Sequence, residues 1–165
     1  MPKTVLVIDD EALIRWALAD TLAEAGHAVV EAPDGAGGLR AVMTVSQAFE
    51  LIFLDFRLPD SSDFALLTAI RSWAPRSAVV LMTASATPEM VDEAYRLGVY
   101  RVLHKPFDIL EANNILSAVA AARRAKGDDD GSTRNQRVPI SVSMDRNQYG
   151  DAHRTVDLRH LLALP

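Results

Sequence analysis

Five short apolar runs that alternate with five longer amphipathic stretches constrain the fold of this chain more than any other feature. The runs are rich in Val, Ile and Leu, which suit strands buried on both faces, as in a parallel sheet. They lie at residues 4–8, 27–31, 50–55, 78–83 and 100–104. The stretches with helical spacing or helix-end residues lie at residues 12–25, 34–46, 64–73, 87–97 and 108–126.

The order of these elements predicts the fold class. Strands that alternate with helices of this length are typical of an α/β architecture, in which a parallel sheet has helices on both faces. Right-handed crossover connections leave few ways to arrange five such units. We therefore expect a five-stranded parallel sheet with the strand order 2-1-3-4-5, which is the flavodoxin-like, doubly wound fold.

Two helix starts are indicated by particular residues. Thr87 is suited to the N-cap of the fourth helix, and Pro88 is suited to its first position, where the missing N–H is not needed. Asp108 and Glu111 have the spacing of a capping box, which predicts that the fifth helix begins there.

The last part of the chain differs from the rest. Residues 127–138 (GDDDGSTRNQRV) are polar and show no apolar period, which is typical of a disordered linker. Apolar residues become frequent again only at residues 158–164. The chain is therefore divided into a domain, residues 1–126, and a tail, residues 127–165, that is predicted to be disordered apart from a short C-terminal helix.

The composition excludes several classes of site and partner. The chain has no cysteine, so disulfides, thiolate catalysis and zinc–thiolate sites are excluded. The formal net charge of −5 gives no general attraction to nucleic acid or to an anionic membrane, and we expect neither as a direct partner. The first strand-like run begins at Thr4, which leaves no room for a signal peptide, and no apolar run approaches the roughly 18 residues of a membrane span. The expected location is the cytoplasm.

Five polar residues fall at or just beyond the carboxyl ends of the predicted strands. They are Asp9, Asp10, Asp55, Thr83 and Lys105. Ligands of open α/β sheets bind beyond these strand ends, and the strands in question are neighbours in the expected order. We therefore expect the five side chains to converge at one edge of the sheet.

The chemistry of these residues predicts a cation and a phosphate. Two carboxylates about 5 Å apart repel each other by roughly 3 kcal/mol at an effective dielectric constant of about 20. A hard divalent ion answers this repulsion, and an open site with water ligands favours Mg²⁺. Lys105 offers a positive charge for a phosphate, and the Thr83 hydroxyl can donate to a phosphoryl oxygen. Together these groups match phosphoryl transfer to a carboxylate, with Asp55 as the nucleophile.

Four segments resemble the signatures of response-regulator receiver domains, the phosphorylated switches of two-component signalling. They are VLVIDDE (Val5–Glu11), LIFLDFRLPD (Leu51–Asp60), VVLMTA (Val79–Ala84) and LHKPF (Leu103–Phe107). The resemblance implies that a sensor histidine kinase or a histidine phosphotransfer protein donates a phosphoryl group to Asp55. It also implies a receiver domain over residues 1–126.

The resemblance further implies a role for each site residue. Asp55 is the phosphoacceptor, Lys105 contacts the phosphoryl oxygen, and Thr83 moves toward it. Mg²⁺ is held directly by Asp10 and Asp55, by Asp9 through water, and by the backbone carbonyl of Arg57. The bond between Lys105 and Pro106 is expected to be cis, an isomer that proline tolerates.

Two positions depart from the family pattern. Val102 stands three residues before the lysine, where the family usually has an aromatic residue that turns inward as the threonine moves. We therefore expect the output face to move less, or differently, on phosphorylation. Asp63 stands where the family usually has glycine, and it is suited to cap the third helix. Leu13 and Trp16 on the first helix are candidate contacts for the kinase.

The function expected from these observations is a phosphorylation-activated switch without an output domain, whose only chemistry is its own phosphorylation and dephosphorylation. It acts on an output protein that the sequence does not identify, and a phosphorylation-dependent homodimer is left open. One alternative is a pseudo-receiver or adaptor that works without phosphorylation. Another is a Mg²⁺-dependent phosphohydrolase of the haloacid dehalogenase type, although that class has two aspartates separated by one residue. A truncated DNA-binding regulator is a further alternative, but the tail shows no helix-turn-helix pattern.

Overall fold

A computed structural model of the protein describes residues 1–45 and 48–127. Within this part of the chain, all strand pairings of the sheet are parallel. The strands are β1 (Thr4–Ile8), β2 (Ala28–Ala32), β3 (Leu51–Asp55), β4 (Ala78–Thr83) and β5 (Arg101–His104). Their order is β2-β1-β3-β4-β5, so the predicted flavodoxin-like topology is confirmed.

Helices cover both faces of this sheet. They are α1 (Ala12–Glu24), α2 (Gly35–Thr44), α3 (Ala65–Trp73), α4 (Pro88–Arg96) and α5 (Glu111–Ala125). Buried side chains of α2, α3 and α4 belong to one apolar cluster, and those of α1 and α5 belong to another. The strands lie between the two clusters because successive strand residues point to opposite faces. Among the described helices, none combines the length and apolarity that a bilayer span requires.

The predicted cap of α4 is confirmed, while the end of α2 and the start of α5 differ from the prediction by more than one residue. Thr87 caps α4, since its hydroxyl accepts a hydrogen bond from the N–H of Met90, as predicted. Helix α2 ends at Thr44, short of the predicted end, because Val45 is in an extended conformation and packs against the core; residue 46 lies outside the described residues. The predicted capping box is wrong as well: Glu111 pairs with Arg101 instead of reaching back to cap.

The start of α5 shows what replaces that capping box. The carboxylate of Asp108 accepts a hydrogen bond from the N–H of Leu110 at 2.9 Å. It therefore closes a turn that precedes the helix, which begins at Glu111. The predicted tail, apart from Gly127, lies outside the described residues.

Helix α2 approaches β1 closely through a glycine. A Cβ atom at Gly38 would lie 2.3 Å from Cδ1 and 2.9 Å from Cγ1 of Ile8, which is fully buried. Ile8 cannot move aside, because it is β-branched and enclosed in a close-packed interior. Gly38 therefore lets α2 rest on the end of the strand that leads into Asp9.

The substitution Gly38→Ala is expected to lower the free energy of unfolding by about 1–3 kcal/mol, the usual effect of overpacking. The higher helix propensity of alanine, worth about 1 kcal/mol, should not offset the clash. Urea denaturation measures the difference. The double variant Ile8→Val with Gly38→Ala removes Cδ1 of Ile8 and should lose less than the sum of the two single changes. Simple additivity would contradict the proposed contact.

Candidate functional site

The carboxyl ends of four neighbouring strands form the site. Asp9 directly follows β1, Asp55 ends β3, Thr83 ends β4 and Lys105 directly follows β5. Backbone hydrogen bonds hold these ends in register: the N–H of Lys105 donates to the carbonyl of Thr83 at 2.8 Å. The bond between Lys105 and Pro106 is cis, as expected. Asp9, Asp55 and Thr83 are among the few buried polar residues of the described chain.

The ammonium group of Lys105 lies among three carboxylates. Its Nζ atom is 2.8 Å from Oδ2 of Asp55, 2.9 Å from Oδ2 of Asp9 and 2.8 Å from Oε1 of Glu11. The side chain of Lys105 is only 10% exposed, so solvent screens these contacts weakly. Lys105 therefore holds the ends of β1 and β3 together by charge.

Glu11 is a member of the site that the sequence did not indicate. The N–H of Glu11 donates to Oδ1 of Asp9 at 2.8 Å, which bends the chain back directly after the strand. This turn lets the Glu11 side chain reach Lys105, although Glu11 also stands at the N-cap position of α1. The sequence feature that could have identified Glu11 is its position two residues after Asp9, close to the end of β1. That spacing alone does not predict the direction in which the Glu11 side chain points.

The acidic cluster differs from the predicted metal ligands in one residue. Among residues 1–45 and 48–127, the carboxylates that come within 4.8 Å of one another belong to Asp9, Glu11 and Asp55. Asp10 is exposed and does not belong to this described cluster. The direct metal contact assigned to Asp10 stays a prediction.

Both oxygens of the Asp55 carboxylate have donors. Oδ2 accepts from Lys105, and Oδ1 accepts from the backbone N–H of Arg57 at 3.1 Å. The Arg57 side chain is exposed, and the role of its backbone carbonyl stays a prediction. Asp55 itself is 6% exposed, which leaves it reachable at the edge of the sheet.

The hydroxyl of Thr83 is engaged by its own loop. It donates to the carbonyl of Ser85 at 3.0 Å and accepts from the N–H of Ser85 at 3.2 Å. Thr83 is buried at the same edge of the sheet as Asp55. The sequence therefore placed this residue at the correct strand end, while the partner of its hydroxyl depends on the loop that follows.

The electrostatics of the cluster leave negative charge uncompensated. Burial raises the pKa of Asp9, while the neighbouring Lys105 ammonium lowers it, and burial prevails. Burial lowers the pKa of Lys105, but its close contacts with the carboxylates of Asp55, Glu11 and Asp9 outweigh this effect and raise the pKa above its usual value. Lys105 is therefore charged, and a single ammonium faces three carboxylates.

The residues present fit a hard divalent cation. Oδ2 of Asp9 is buried and, although it lies 2.9 Å from Lys105 Nζ, it lacks a partner with hydrogen-bond geometry. Buried polar atoms in native proteins are generally satisfied, so an oxygen of this kind needs a further partner. Carboxylate oxygens with room for water are the ligands that Mg²⁺ prefers. The cluster can therefore hold such an ion.

Comparisons with known proteins agree on one family. A family model described as the response regulator receiver domain matches residues 5–119. A CheY-type chemotaxis protein of Rhizobium etli is 32% identical over 121 residues, which cover 72% of this chain and 92% of that protein. The DNA-binding transcriptional regulator NtrC of Escherichia coli K12 is 37% identical over 108 residues, or 66% of this chain. The matched part spans only 23% of the length of NtrC.

A solved structure with similar sequence belongs to a response regulator protein from Burkholderia pseudomallei. It is 26% identical and has a TM-score of 0.62, and the match covers 76% of this chain and 72% of that chain. That structure contains a phosphorylated aspartic acid, a calcium ion and citrate.

In Mg²⁺-free buffer, Asp9→Asn is expected to raise the free energy of unfolding near neutral pH. Burial raises the folded-state pKa of Asp9 above its unfolded value. The stability that Asp9 contributes is therefore fully present below the unfolded pKa, and it is lost as the pH rises through the folded pKa. An asparagine carries no such charge, so the variant keeps its stability over the same pH range. Urea unfolding with EDTA, from acidic to neutral pH, should show the wild type losing stability relative to Asp9→Asn.

The exposed neighbour Asp10 provides the control, since Asp10→Asn should leave this pH trend as it is in the wild type.

Added Mg²⁺ should stabilise the wild type by about 2.7 kcal/mol at a hundredfold excess over its Kd, and should stabilise Asp9→Asn less. Parallel pH curves for wild type and Asp9→Asn would contradict the buried-charge interpretation.

Proposed function

This chain belongs to the response regulator receiver domain family, and from that premise we propose that Asp55 accepts a phosphoryl group in a Mg²⁺-dependent reaction. The donor is a sensor histidine kinase or a histidine phosphotransfer protein. The observation that carries the proposal is the contact of Lys105 Nζ with Oδ2 of Asp55 at 2.8 Å, beside the buried carboxylate of Asp9. This geometry supports the proposal, because the carboxylate proposed as the nucleophile, an ammonium group and further carboxylate oxygens lie together at the edge of the sheet.

The proposed reaction is a direct transfer between two side chains. A carboxylate oxygen of Asp55 forms a bond to phosphorus while the bond from phosphorus to the donor histidine nitrogen breaks, and that nitrogen keeps the electron pair. Lys105 remains near the acyl phosphate and offsets part of its charge. The N–H of Arg57, which already donates to Asp55, helps to hold the carboxylate in place.

The proposed Mg²⁺ ligands are Asp10 and Asp55, Asp9 through water, and the backbone carbonyl of Arg57. When bound there, the ion offsets negative charge on the transferring phosphoryl group and orients it for attack. The structure of the Burkholderia pseudomallei relative contains both a phosphorylated aspartic acid and a calcium ion, which supports a proposal that combines an aspartyl phosphate with a divalent cation. Glu11 adds a further carboxylate, which strengthens the need for a cation.

The proposal also covers partners and location. Leu13 and Trp16 are 75% and 59% exposed on α1, as a surface that contacts the kinase would be. Phosphorylation would act on a separate output partner, and the proposed location is the cytoplasm. The protein's own chemistry would be limited to its phosphorylation and dephosphorylation. Membership of the receiver family favours this switch over a phosphohydrolase.

Incubation with acetyl phosphate and Mg²⁺, followed by intact mass measurement, is expected to show one added phosphoryl group on the wild type. Asp55→Asn should show none, since the nucleophilic oxygen pair is lost. Asp63→Asn, an exposed aspartate in the following loop, is the matched control and should be phosphorylated like the wild type. A wild type that gains no phosphoryl group would favour the phosphorylation-independent adaptor.

The readout of phosphorylation is expected to be weak at β5. Val102 is partly buried and packs against the cluster that includes α4, while Tyr100 is 43% exposed just before the strand. A valine at position 102 has no ring to turn inward when Thr83 moves. In NMR spectra, beryllofluoride with Mg²⁺ should therefore cause smaller shifts around Val102 in the wild type than in Val102→Tyr. Equal or larger shifts in the wild type would contradict this expectation.

A further inference from the structure

Asp60 joins two elements that lie far apart in the sequence. It lies in the loop between β3 and α3, five residues after Asp55, and its carboxylate meets the first turn of α2. Oδ1 of Asp60 accepts from the N–H of Gly35 at 2.9 Å, and Oδ2 accepts from the N–H of Ala36 at 2.8 Å. A single carboxylate thus satisfies two backbone donors that have no partner within the helix.

The fit at this point is close. A Cβ atom at Gly35 would lie 2.8 Å from Cδ2 of Leu66 and 3.1 Å from Oδ1 of Asp60. Leu66 belongs to α3, so the start of α2, the β3–α3 loop and α3 meet around one glycine. The absence of a side chain at Gly35 allows Asp60 to reach the backbone.

Helix α2 depends on such support more than the other helices do. Its sequence, GAGGLRAVMT, contains three glycines, each of which disfavours a helix by about 1 kcal/mol relative to alanine. Asp34 supplies one cap, because its carboxylate accepts from the N–H of Gly37 at 2.6 Å. Asp60 supplies the second, and it comes from outside the helix.

The loop that carries Asp60 is tied to the phosphorylation site along its length. The N–H of Phe56 donates to the carbonyl of Met82 at 2.8 Å, and the N–H of Arg57 donates to Oδ1 of Asp55 at 3.1 Å. Leu58 and Ser61 then exchange two backbone hydrogen bonds, at 2.7 and 3.2 Å. A short, hydrogen-bonded segment therefore connects Asp55 with Asp60.

We propose that Asp60 is a positioning residue that couples the state of Asp55 to the first turn of α2. The proposal rests on the proposed function, since it requires a phosphoryl group on Asp55. That group adds negative charge and acceptor oxygens beside the N–H of Arg57, so it changes the hydrogen bond that anchors the start of the loop. The two hydrogen bonds that Asp60 accepts from α2 change in turn.

The coupling must also operate in reverse. If the phosphoryl group alters the contact between Asp60 and α2, then removing that contact alters the affinity of the site for a phosphoryl mimic by the same factor. Asp60 touches neither Asp55 nor Lys105 in the structure. An effect of Asp60 on the site would therefore arise through the position of the loop.

The test is amide hydrogen exchange by NMR on the full chain, with Mg²⁺ alone and with Mg²⁺ and beryllofluoride as the phosphoryl mimic. In the wild type, beryllofluoride is expected to change exchange at Gly35 and Ala36 by about threefold or more, the lower end of what a helix cap contributes. The N–H of Gly37, held by Asp34, is the internal reference and should change less. In Asp60→Ala the response at Gly35 and Ala36 should be lost, and the apparent affinity for beryllofluoride should change by a similar factor.

Two further variants separate coupling from a general loss of structure. Asp63→Ala removes a neighbouring hydrogen bond, which the Asp63 carboxylate accepts from the N–H of Ala65 at 2.9 Å, and should keep the response at Gly35 and Ala36. Asp60→Asn keeps one acceptor oxygen and should restore part of the response.

The outcomes distinguish this proposal from the proposed function. If beryllofluoride shifts the Arg57 resonance but leaves exchange at Gly35 and Ala36 unchanged, the coupling is overturned and phosphorylation of Asp55 stands. A response that persists in Asp60→Ala also overturns the coupling. If the Arg57 resonance does not respond at all, the proposed function fails and the coupling fails with it.

Discussion

The arrangement of the strand ends depends on the contacts that the ammonium group of Lys105 makes with the surrounding carboxylates. Asp9 and Asp55 are buried acidic residues at the ends of adjacent strands. Lys105 lies between them and also contacts Glu11. Breaking a buried ion pair by removing one partner typically costs about 3–5 kcal/mol, because the other charge is left unpaired. One lysine therefore allows the carboxylates to stand close together before any metal ion binds.

The sheet brings this lysine to the carboxylates. A parallel sheet places the carboxyl ends of all its strands at one edge, so residues from distant parts of the chain become neighbours. The close approach of α2 to β1 at Gly38 and Ile8 then supports the end of β1 from one face. The position of the site therefore depends on the packing of the core, since the packing that buries Ile8 also places Asp9 at the edge of the sheet.

Most of the fold and part of the site could be predicted from the sequence. The apolar runs identify the strands, and the strand ends identify Asp9, Asp55, Thr83 and Lys105, because strand order alone decides which ends are neighbours. Other features depend on side-chain direction in loops, which periodicity does not specify. Glu11 reaches Lys105 only because a turn after Asp9 bends the chain back.

Periodicity in the sequence also does not predict three further features of the structure, which depend on side-chain direction or on tertiary packing. Asp10 follows Asp9 directly, and two adjacent residues at a strand end point in different directions, so their identity does not reveal which one faces the cluster. The contact of Asp60 with α2 joins a loop to a helix across 25 residues of sequence. The end of α2 at Thr44 is set by Val45 packing into the core, a tertiary effect that local propensity does not contain.

The hydroxyl of Thr83 bears on how the proposed phosphorylation would affect the β4 end of the site. It already donates one hydrogen bond, to the carbonyl of Ser85. If it turned to a phosphoryl oxygen, it would exchange one acceptor for another, so the number of its donated bonds would not change. A net hydrogen bond contributes only about 0.5–1.5 kcal/mol to stability, and an exchange of partners is worth less than a bond gained outright. In the same move the N–H of Ser85 would lose its acceptor, which would offset part of what a charged phosphoryl oxygen offers to the hydroxyl.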